Sequence, residues 1–247
     1  MNVLIPLAGD DAAFREAGFH FTKSLVEIRG KPLVQHVYEA LAAIADARFT
    51  FVIRKEHAQR YHLDRVLRLL APTAQVVLAE GDTAGAACTC LLAVETIAGD
   101  EELVVTNGDH ILRGDLPAVL DGFRSRNLDG GTVVFESVHP RWSYVRVGED
   151  GLVAEAAEKR PISRYATAGF YYFRRGEDFV AGALDMIRKG AHVDGRYYVC
   201  PVFNEMLLRQ KRVGIHLVPP QAYISLATPE GVALYGAQLD RGAGAPA

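Results

Sequence analysis

Apolar positions along the chain fall into short runs rich in β-branched residues, alternating with stretches of helical spacing. The first run, Val3-Leu4-Ile5-Pro6, is a strand candidate too short for periodicity alone to separate from helix. A loop follows, and residues 33–45 then read as an amphipathic helix, with Pro32 suited to its first turn. Residues 49–53 predict a second strand, 61–70 a helix and 75–78 a third strand. Residues 84–97 read as a helix rich in small side chains that stops before Gly99. Residues 102–106 are almost uniformly apolar, as expected of a parallel strand covered on both faces. Alternation of this kind predicts a doubly wound α/β fold, three layers deep, with a predominantly parallel sheet.

The pattern changes after about residue 128. Asp129-Gly130-Gly131 precedes a strand over 132–136, and 142–147 pairs with 153–157 around Glu149-Asp150-Gly151, whose Asp-Gly step favours a tight reversal. Another strand covers 167–173, helices cover 178–189 and 201–210, and a last strand covers 213–218. This half reads as a small α+β lobe with mixed or antiparallel strands. No linker composition divides the chain, so residues 1–240 are predicted to form a single domain with halves 1–128 and 129–240. The tail, residues 241–247, is expected to be disordered.

Composition narrows the function classes. With 49% hydrophobic and 23% charged residues in 247, the chain is globular. Its net charge of -3 comes from 27 basic and 30 acidic residues without blocks of one sign, which favours neither nucleic acid nor an acidic membrane surface. No apolar run approaches the roughly 20 residues needed to span a bilayer, and the N-terminus has no targeting pattern. Cys88, Cys90 and Cys200 read as reduced core thiols, and the default compartment is cytoplasmic.

Four segments carry candidate chemistry. Gly9 lies in the loop leaving the first strand, where open α/β sheets bind ligands, but Asp10 and Asp11 would repel a triphosphate unless a metal intervenes. Lys23 precedes an apolar segment and could neutralise charge on a phosphoryl group, although a solvated lysine is the plainer reading. Asp109 follows the most apolar strand by one turn, a suitable place for a carboxylate that holds Mg²⁺; the alternative is an Asn-Gly-Asp turn capping the next element. His110 reads as a packed histidine. Lys159 and Arg160 could face an anionic substrate or merely end a charged hairpin.

In order along the chain, these segments resemble the sugar-phosphate nucleotidyltransferase superfamily, and within it the capsule- and surface-polysaccharide branch. The resemblance runs from Asn2 to about Leu239. It is carried by Asn2-Val3-Leu4-Ile5-Pro6-Leu7-Ala8-Gly9, Gly30-Lys31-Pro32-Leu33, Thr83-Ala84-Gly85-Ala86, Asn107-Gly108-Asp109, Phe135-Glu136-Ser137-Val138-His139-Pro140-Arg141-Trp142-Ser143-Tyr144, Ala157-Glu158-Lys159-Arg160-Pro161, Tyr197-Tyr198-Val199-Cys200-Pro201 and Leu226-Ala227-Thr228-Pro229-Glu230. It implies a nucleotidyltransferase-type sheet and transfer of a nucleoside monophosphate from a nucleoside triphosphate to a sugar phosphate or similar phosphorylated small molecule, with Mg²⁺ bound and pyrophosphate released. By position it implies that Leu7, Ala8, Gly9, Thr83 and Gly85 meet the nucleotide. Lys23 would steady the phosphates, Asp109 would hold the metal, and Glu158 with Lys159 would meet the substrate in the second half. Neither nucleic acid nor membrane is implied as a partner, and a homo-oligomer is left open.

The chain also departs from that pattern. The family loop runs Gly-x-Gly-Ser/Thr-Arg, and its arginine grips the triphosphate; here Asp11 replaces the second glycine and Ala13 the arginine, with Arg15 two residues on. Thr22-Lys23-Ser24 stands for Pro-Lys-Pro, and Ser225 stands where many relatives place a second metal aspartate. These changes keep alive two alternatives: a degenerate member that binds a nucleotide or nucleotide sugar as a regulatory or partner subunit, and a glycosyltransferase on the same fold.

Overall fold

The apolar runs of the first half form a parallel sheet because helices cover both of its faces. The computed structural model describes residues 1–243. The first half contains β1 (Asn2–Pro6), α1 (Ala12–Glu16), the short pair β2 (Glu27–Ile28) and β3 (Lys31–Pro32), α2 (Leu33–Leu41), β4 (Arg48–Arg54), α3 (Lys55–Tyr61), α4 (Leu63–Leu70), β5 (Gln75–Ala79), α5 (Ala86–Leu91), α6 (Val94–Ile97), β6 (Leu103–Thr106), β7 (His110–Leu112) and α7 (Leu116–Ser125). The second contains β8 (Gly130–Glu136), β9 (Ser143–Val147), β10 (Val153–Glu158), β11 (Tyr165–Phe173), α8 (Gly176–Arg188), α9 (Val202–Leu208), β12 (Val213–Leu217), β13 (Tyr223–Ser225) and α10 (Pro229–Ala243).

One nine-stranded sheet runs through both halves. β1 lies between β4 and β6 and is parallel to both, and β5 continues the parallel set beyond β4. β11 then runs antiparallel to β6 and to β8, β8 carries β12 in parallel, and the antiparallel hairpin β9–β10 joins at Ala166. From β1 the chain moves outward to β4 and β5, then returns to β6 on the other side of β1. That reversal is a topological switch point, and it opens a crevice beyond the carboxyl ends of β1 and β6.

Period-two alternation sends successive side chains to opposite layers. Val3 and Ile5 join a core with Leu33, Val37 and Leu41 of α2, whereas Leu4 joins a second core with Ala87 and Cys90 of α5 and Phe179 of α8. Among the described residues all three cysteines are free thiols; Cys90 and Cys200 are buried and Cys88 is half-buried. No described helix is long and apolar enough to cross a membrane.

Three helices predicted in the first half are shorter in the structure, as is the one expected over 201–210, which runs Val202–Leu208. The helix expected over 33–45 ends at Leu41, and Asp46 takes a left-handed φ of 53°. That expected over 61–70 begins at Leu63, because left-handed His62 (φ 55°) breaks α3 from α4. That expected over 84–97 starts only at Ala86 and breaks near Ala93. Its delayed start has a clear cause: Ala84 O accepts the Tyr197 amide at 2.7 Å and the Ala87 amide donates to Tyr197 O at 3.0 Å, which holds this backbone against a distant loop. Of the tail expected to be disordered, residues 241–243 belong to α10, and 244–247 lie outside the described residues.

Candidate active site

Strand ends build the site. A cleft of about 490 Å³ opens beyond the carboxyl edge of the parallel strands, within the usual range for small-molecule sites. The loop after β1 contributes Ala8, Gly9 and Asp10 to its wall, β4 contributes Arg54, and the loop after β5 contributes Thr83 and Gly85. From β6 come Asn107, Gly108 and Asp109. Gly85 has to be glycine: its φ is 108°, and a Cβ there would lie 2.4 Å from the carbonyl oxygen of Tyr197.

Lys23 and Asp109, 86 positions apart, meet in an ion pair with Nζ 2.7 Å from Oδ2. Lys23 is held in a short helical turn, Lys23–Leu25, between buried Thr22 and Ser24. Asp109 sits between β6 and β7, where its backbone carbonyl accepts the Leu226 amide at 2.8 Å. The turn therefore leads into a strand and caps no helix. Side-chain exposures of 17% and 25% make the pair largely desolvated. Burial opposes charge on both groups, but their mutual attraction and hydrogen bond prevail, holding the Lys23 ammonium above its ordinary pKa and the Asp109 carboxyl below its own.

The altered loop resolves into two differently placed carboxylates. Asp11 turns inward and is buried; its Oδ2 lies 3.5 Å from His57 Nε2, and it is absent from the cleft wall. The His57 ring in turn meets Thr22 Oγ1 at 3.2 Å. Burial lowers the His57 pKa despite the nearby Asp11. Asp10 does line the cleft, paired with Arg15 at 3.2 Å and accepting the Ala12 amide at 2.9 Å. Arg54 crosses behind this loop and donates from Nε to the carbonyls of Ala8 (3.0 Å) and Gly9 (3.3 Å).

A second cleft of about 270 Å³ adjoins the first, and Ala86, Asn107 and Tyr198 line both. Its wall includes Trp142, Ser143, Glu158, Tyr171 and Tyr223. Trp142 and Tyr223 meet edge to face with ring centres 5.2 Å apart, and the Arg141 guanidinium lies 4.3 Å above the Trp142 ring. Ser143 Oγ makes a short hydrogen bond to Glu158 Oε2. Burial nevertheless raises the Glu158 pKa.

Several sequence-predicted residues take other places. Leu7 packs its side chain into the core beneath Gly108, off the cleft wall. Lys159, with φ 51°, has its ammonium 5.3 Å from the centre of the Tyr198 ring and lines neither cleft. Arg160 pairs with Glu155 at 2.9 Å, which is the plain charged hairpin. His110 is buried and stacks on Tyr223 at 5.4 Å; burial pushes its pKa down to about 4. Arg54 and Arg196 line the first cleft without having been singled out by the sequence, whereas Trp142 and Tyr198 belong to segments that carry the resemblance. The Ile53-Arg54-Lys55 step at the end of a strand was the available signal for Arg54.

The family model described as nucleotidyl transferase matches residues 18–188, well over half of the chain. The chain belongs to the nucleotidyl transferase family. Its place is in the sugar-phosphate nucleotidyltransferase superfamily, and the match begins just beyond the altered loop. The transferase is 25% identical over 216 residues to the UTP–glucose-1-phosphate uridylyltransferase AglF of Haloferax volcanii, covering 78% of this chain and 86% of that one. It is 25% identical over 177 residues to the bifunctional protein GlmU of Methanocaldococcus jannaschii, covering 70% of this chain and 40% of that longer protein. In fold, the transferase matches a nucleoside-diphosphate-sugar pyrophosphorylase from Vibrio cholerae with a TM-score of 0.82 at 24% identity, over 96% of this chain and 100% of that one.

Proposed function

We propose that the protein transfers a nucleoside monophosphate from a nucleoside triphosphate to a phosphorylated small molecule, a sugar 1-phosphate being the leading class, and releases pyrophosphate. The observation that carries this reading is the Lys23–Asp109 pair at the carboxyl edge of the sheet, whose Asp109 lines the first of two adjoining clefts. The first cleft suits a nucleotide: Gly85 and Thr83 offer close backbone approach to a base, and Ala8 and Gly9 offer it to a ribose and phosphates. Glu158 and the aromatic wall of the second suit the hydroxyls and ring faces of a sugar. An oxygen of the acceptor phosphate forms a bond to the α-phosphorus, the bond from that phosphorus to the bridging oxygen breaks, and pyrophosphate leaves with the electron pair. The chain contributes position and charge neutralisation and forms no covalent intermediate. Lys23 lines neither cleft and reaches them only through Asp109, so it would steady the phosphate that gathers charge once released from that carboxylate.

Among the described residues no group of three carboxylates, histidines or cysteines forms a metal cage. Asp109, with Asp10 also on the wall, is a donor set for a cation that arrives with the triphosphate, because Mg²⁺ takes one or two carboxylates plus phosphate oxygens and waters. Mg²⁺ held there by Asp109 would supply Lewis-acid stabilisation of the phosphoryl oxygens. We read the product as an activated precursor for a surface polysaccharide made in the cytoplasm, on the resemblance to that branch. The degenerate alternative needs an acidic loop that repels phosphate, and the inward turn of Asp11 takes one of its two carboxylates off the cleft wall. The test is pyrophosphate release with each common nucleoside triphosphate and a panel of sugar 1-phosphates in Mg²⁺. Release that needs both substrates supports transfer, and nucleotide binding without release under any pairing refutes it.

A further inference from the structure

The loop position that holds a triphosphate-gripping arginine in the resembled family is Ala13 here, so the cleft needs its cation from elsewhere. Three arginines line it: Arg15, Arg54 and Arg196. Arg15 is 63% exposed and tied to Asp10 on its own loop. Arg196 lies on an exposed turn and makes no side-chain hydrogen bond among the described residues. Arg54 is different. In the parallel register Pro6 pairs with Val52, and the Leu7 amide donates to Val52 O at 2.7 Å, so the sheet itself sets Arg54 beside Ala8 and Gly9. Its Nε is fixed by the carbonyls of those two residues, and its Nη1 is 2.6 Å from Asp82 Oδ1. Its Nη2 has no partner among the described residues, and its side chain is only 25% exposed. Asp82 is 80% exposed, so the carboxylate on Nη1 can leave at small cost.

We propose that Arg54 is the fixed cation for the polyphosphate tail of the triphosphate, standing at the end of β4 in place of the missing loop arginine. This rests on the nucleotidyl-transfer reading. A guanidinium anchored by two backbone carbonyls keeps its outer edge aimed into the cleft before ligand arrives, and that fork matches two phosphate oxygens. Phosphate displaces Asp82 and takes Nη1 and Nη2 together. Preorganisation of this kind replaces a loop side chain that would have to be ordered on binding.

The test uses inorganic tripolyphosphate with Mg²⁺ as the probe, measured by titration calorimetry on the full chain, so that the base need not be known. Arg54→Gln keeps an N–H donor for the loop carbonyls but removes the charge. It is expected to weaken tripolyphosphate by about 10- to 150-fold, the value of one charged hydrogen-bonding group, while binding of nucleosides from the same panel changes by less than about 3-fold. Asp82→Asn, at an exposed position, is expected to tighten tripolyphosphate by about 2- to 5-fold, and that gain should vanish in the Arg54→Gln background. Arg54→Gln binding like the wild type, equal loss of nucleoside and tripolyphosphate, a gain in Asp82→Asn that persists without Arg54, or no uptake of tripolyphosphate by the wild type would each overturn the proposal. Pyrophosphate release by the wild type separates the two claims. Release with an indifferent Arg54 sinks this inference alone. Arg54-dependent binding without any release sinks the transfer reading alone.

Discussion

Replacing Lys23 with methionine keeps most of the side-chain volume and leaves the Asp109 carboxylate without its 2.7 Å partner. Removing one member of a fully buried pair costs about 3–5 kcal/mol, and the 25% exposure of Asp109 places this site at the low end, about 3 kcal/mol. Unfolding entropy near 2.1 cal/mol/K per residue, over 247 residues, converts that into a fall in Tm of about 6 °C. The pH dependence has a defined sign. In the wild type the Lys23 pKa is raised, so its contribution holds below the ordinary lysine value and is lost only as pH rises through the higher folded one. The Asp109 pKa is lowered, so its contribution holds above the ordinary carboxyl value of 3.8 and is lost as pH falls through the folded one. The gap between wild type and Lys23→Met is therefore level through neutral pH and closes in acid, where the orphaned carboxyl takes up a proton. Thermal melts of Lys23→Met, Asp109→Asn and the double variant across this range test it. A Lys23→Met Tm within about 1 °C of wild type, or strictly additive single changes, would refute a coupled, desolvated pair.

Three further outcomes follow from the same geometry. His110 is held neutral with a pKa of about 4, so the unfolded chain binds its proton first and this residue's stability falls from pH 6.5 to 4, by about 2–3 kcal/mol; urea melts of His110→Gln should show a shallower acid loss, and an identical slope would contradict the assignment. Gly85→Ala forces a Cβ against the Tyr197 backbone at φ 108° and should destabilise by more than about 1 kcal/mol in urea melts. Glu158→Gln should raise KM for the phosphorylated acceptor by about 10-fold with little change for the triphosphate, since Glu158 lines the second cleft and not the first.

The parallel core is legible in the sequence because burial on both faces leaves Leu103, Val104 and Val105 uniformly apolar. Lys23 and Asp109 are legible as residue types in context, and their meeting across 86 positions is set by the switch point. Arg54 is a different case: its meaning depends on the register between β1 and β4, which no local pattern encodes. The delayed start of α5 comes from backbone bonds to Tyr197, more than a hundred residues away. Two helices lacking from the pattern reading did carry local signals. Asp115 Oδ1 caps α7 by accepting the Ala118 amide at 3.0 Å, with Pro117 in the first turn, and Thr228 Oγ1 accepts the Gly231 amide at 3.2 Å before Pro229 opens α10. Lys159, expected to meet the substrate, instead has its ammonium beside the Tyr198 ring, set there by a left-handed backbone angle that no local pattern encodes.

Steady-state pyrophosphate release, followed for wild type and Lys23→Met across nucleoside triphosphates and sugar 1-phosphates, bears most directly on the proposed transfer. We predict release only when both substrates and Mg²⁺ are present, falling about 100- to 1,000-fold in the variant. Equal release by the two proteins, or none from a wild type that binds nucleotide tightly, would contradict it.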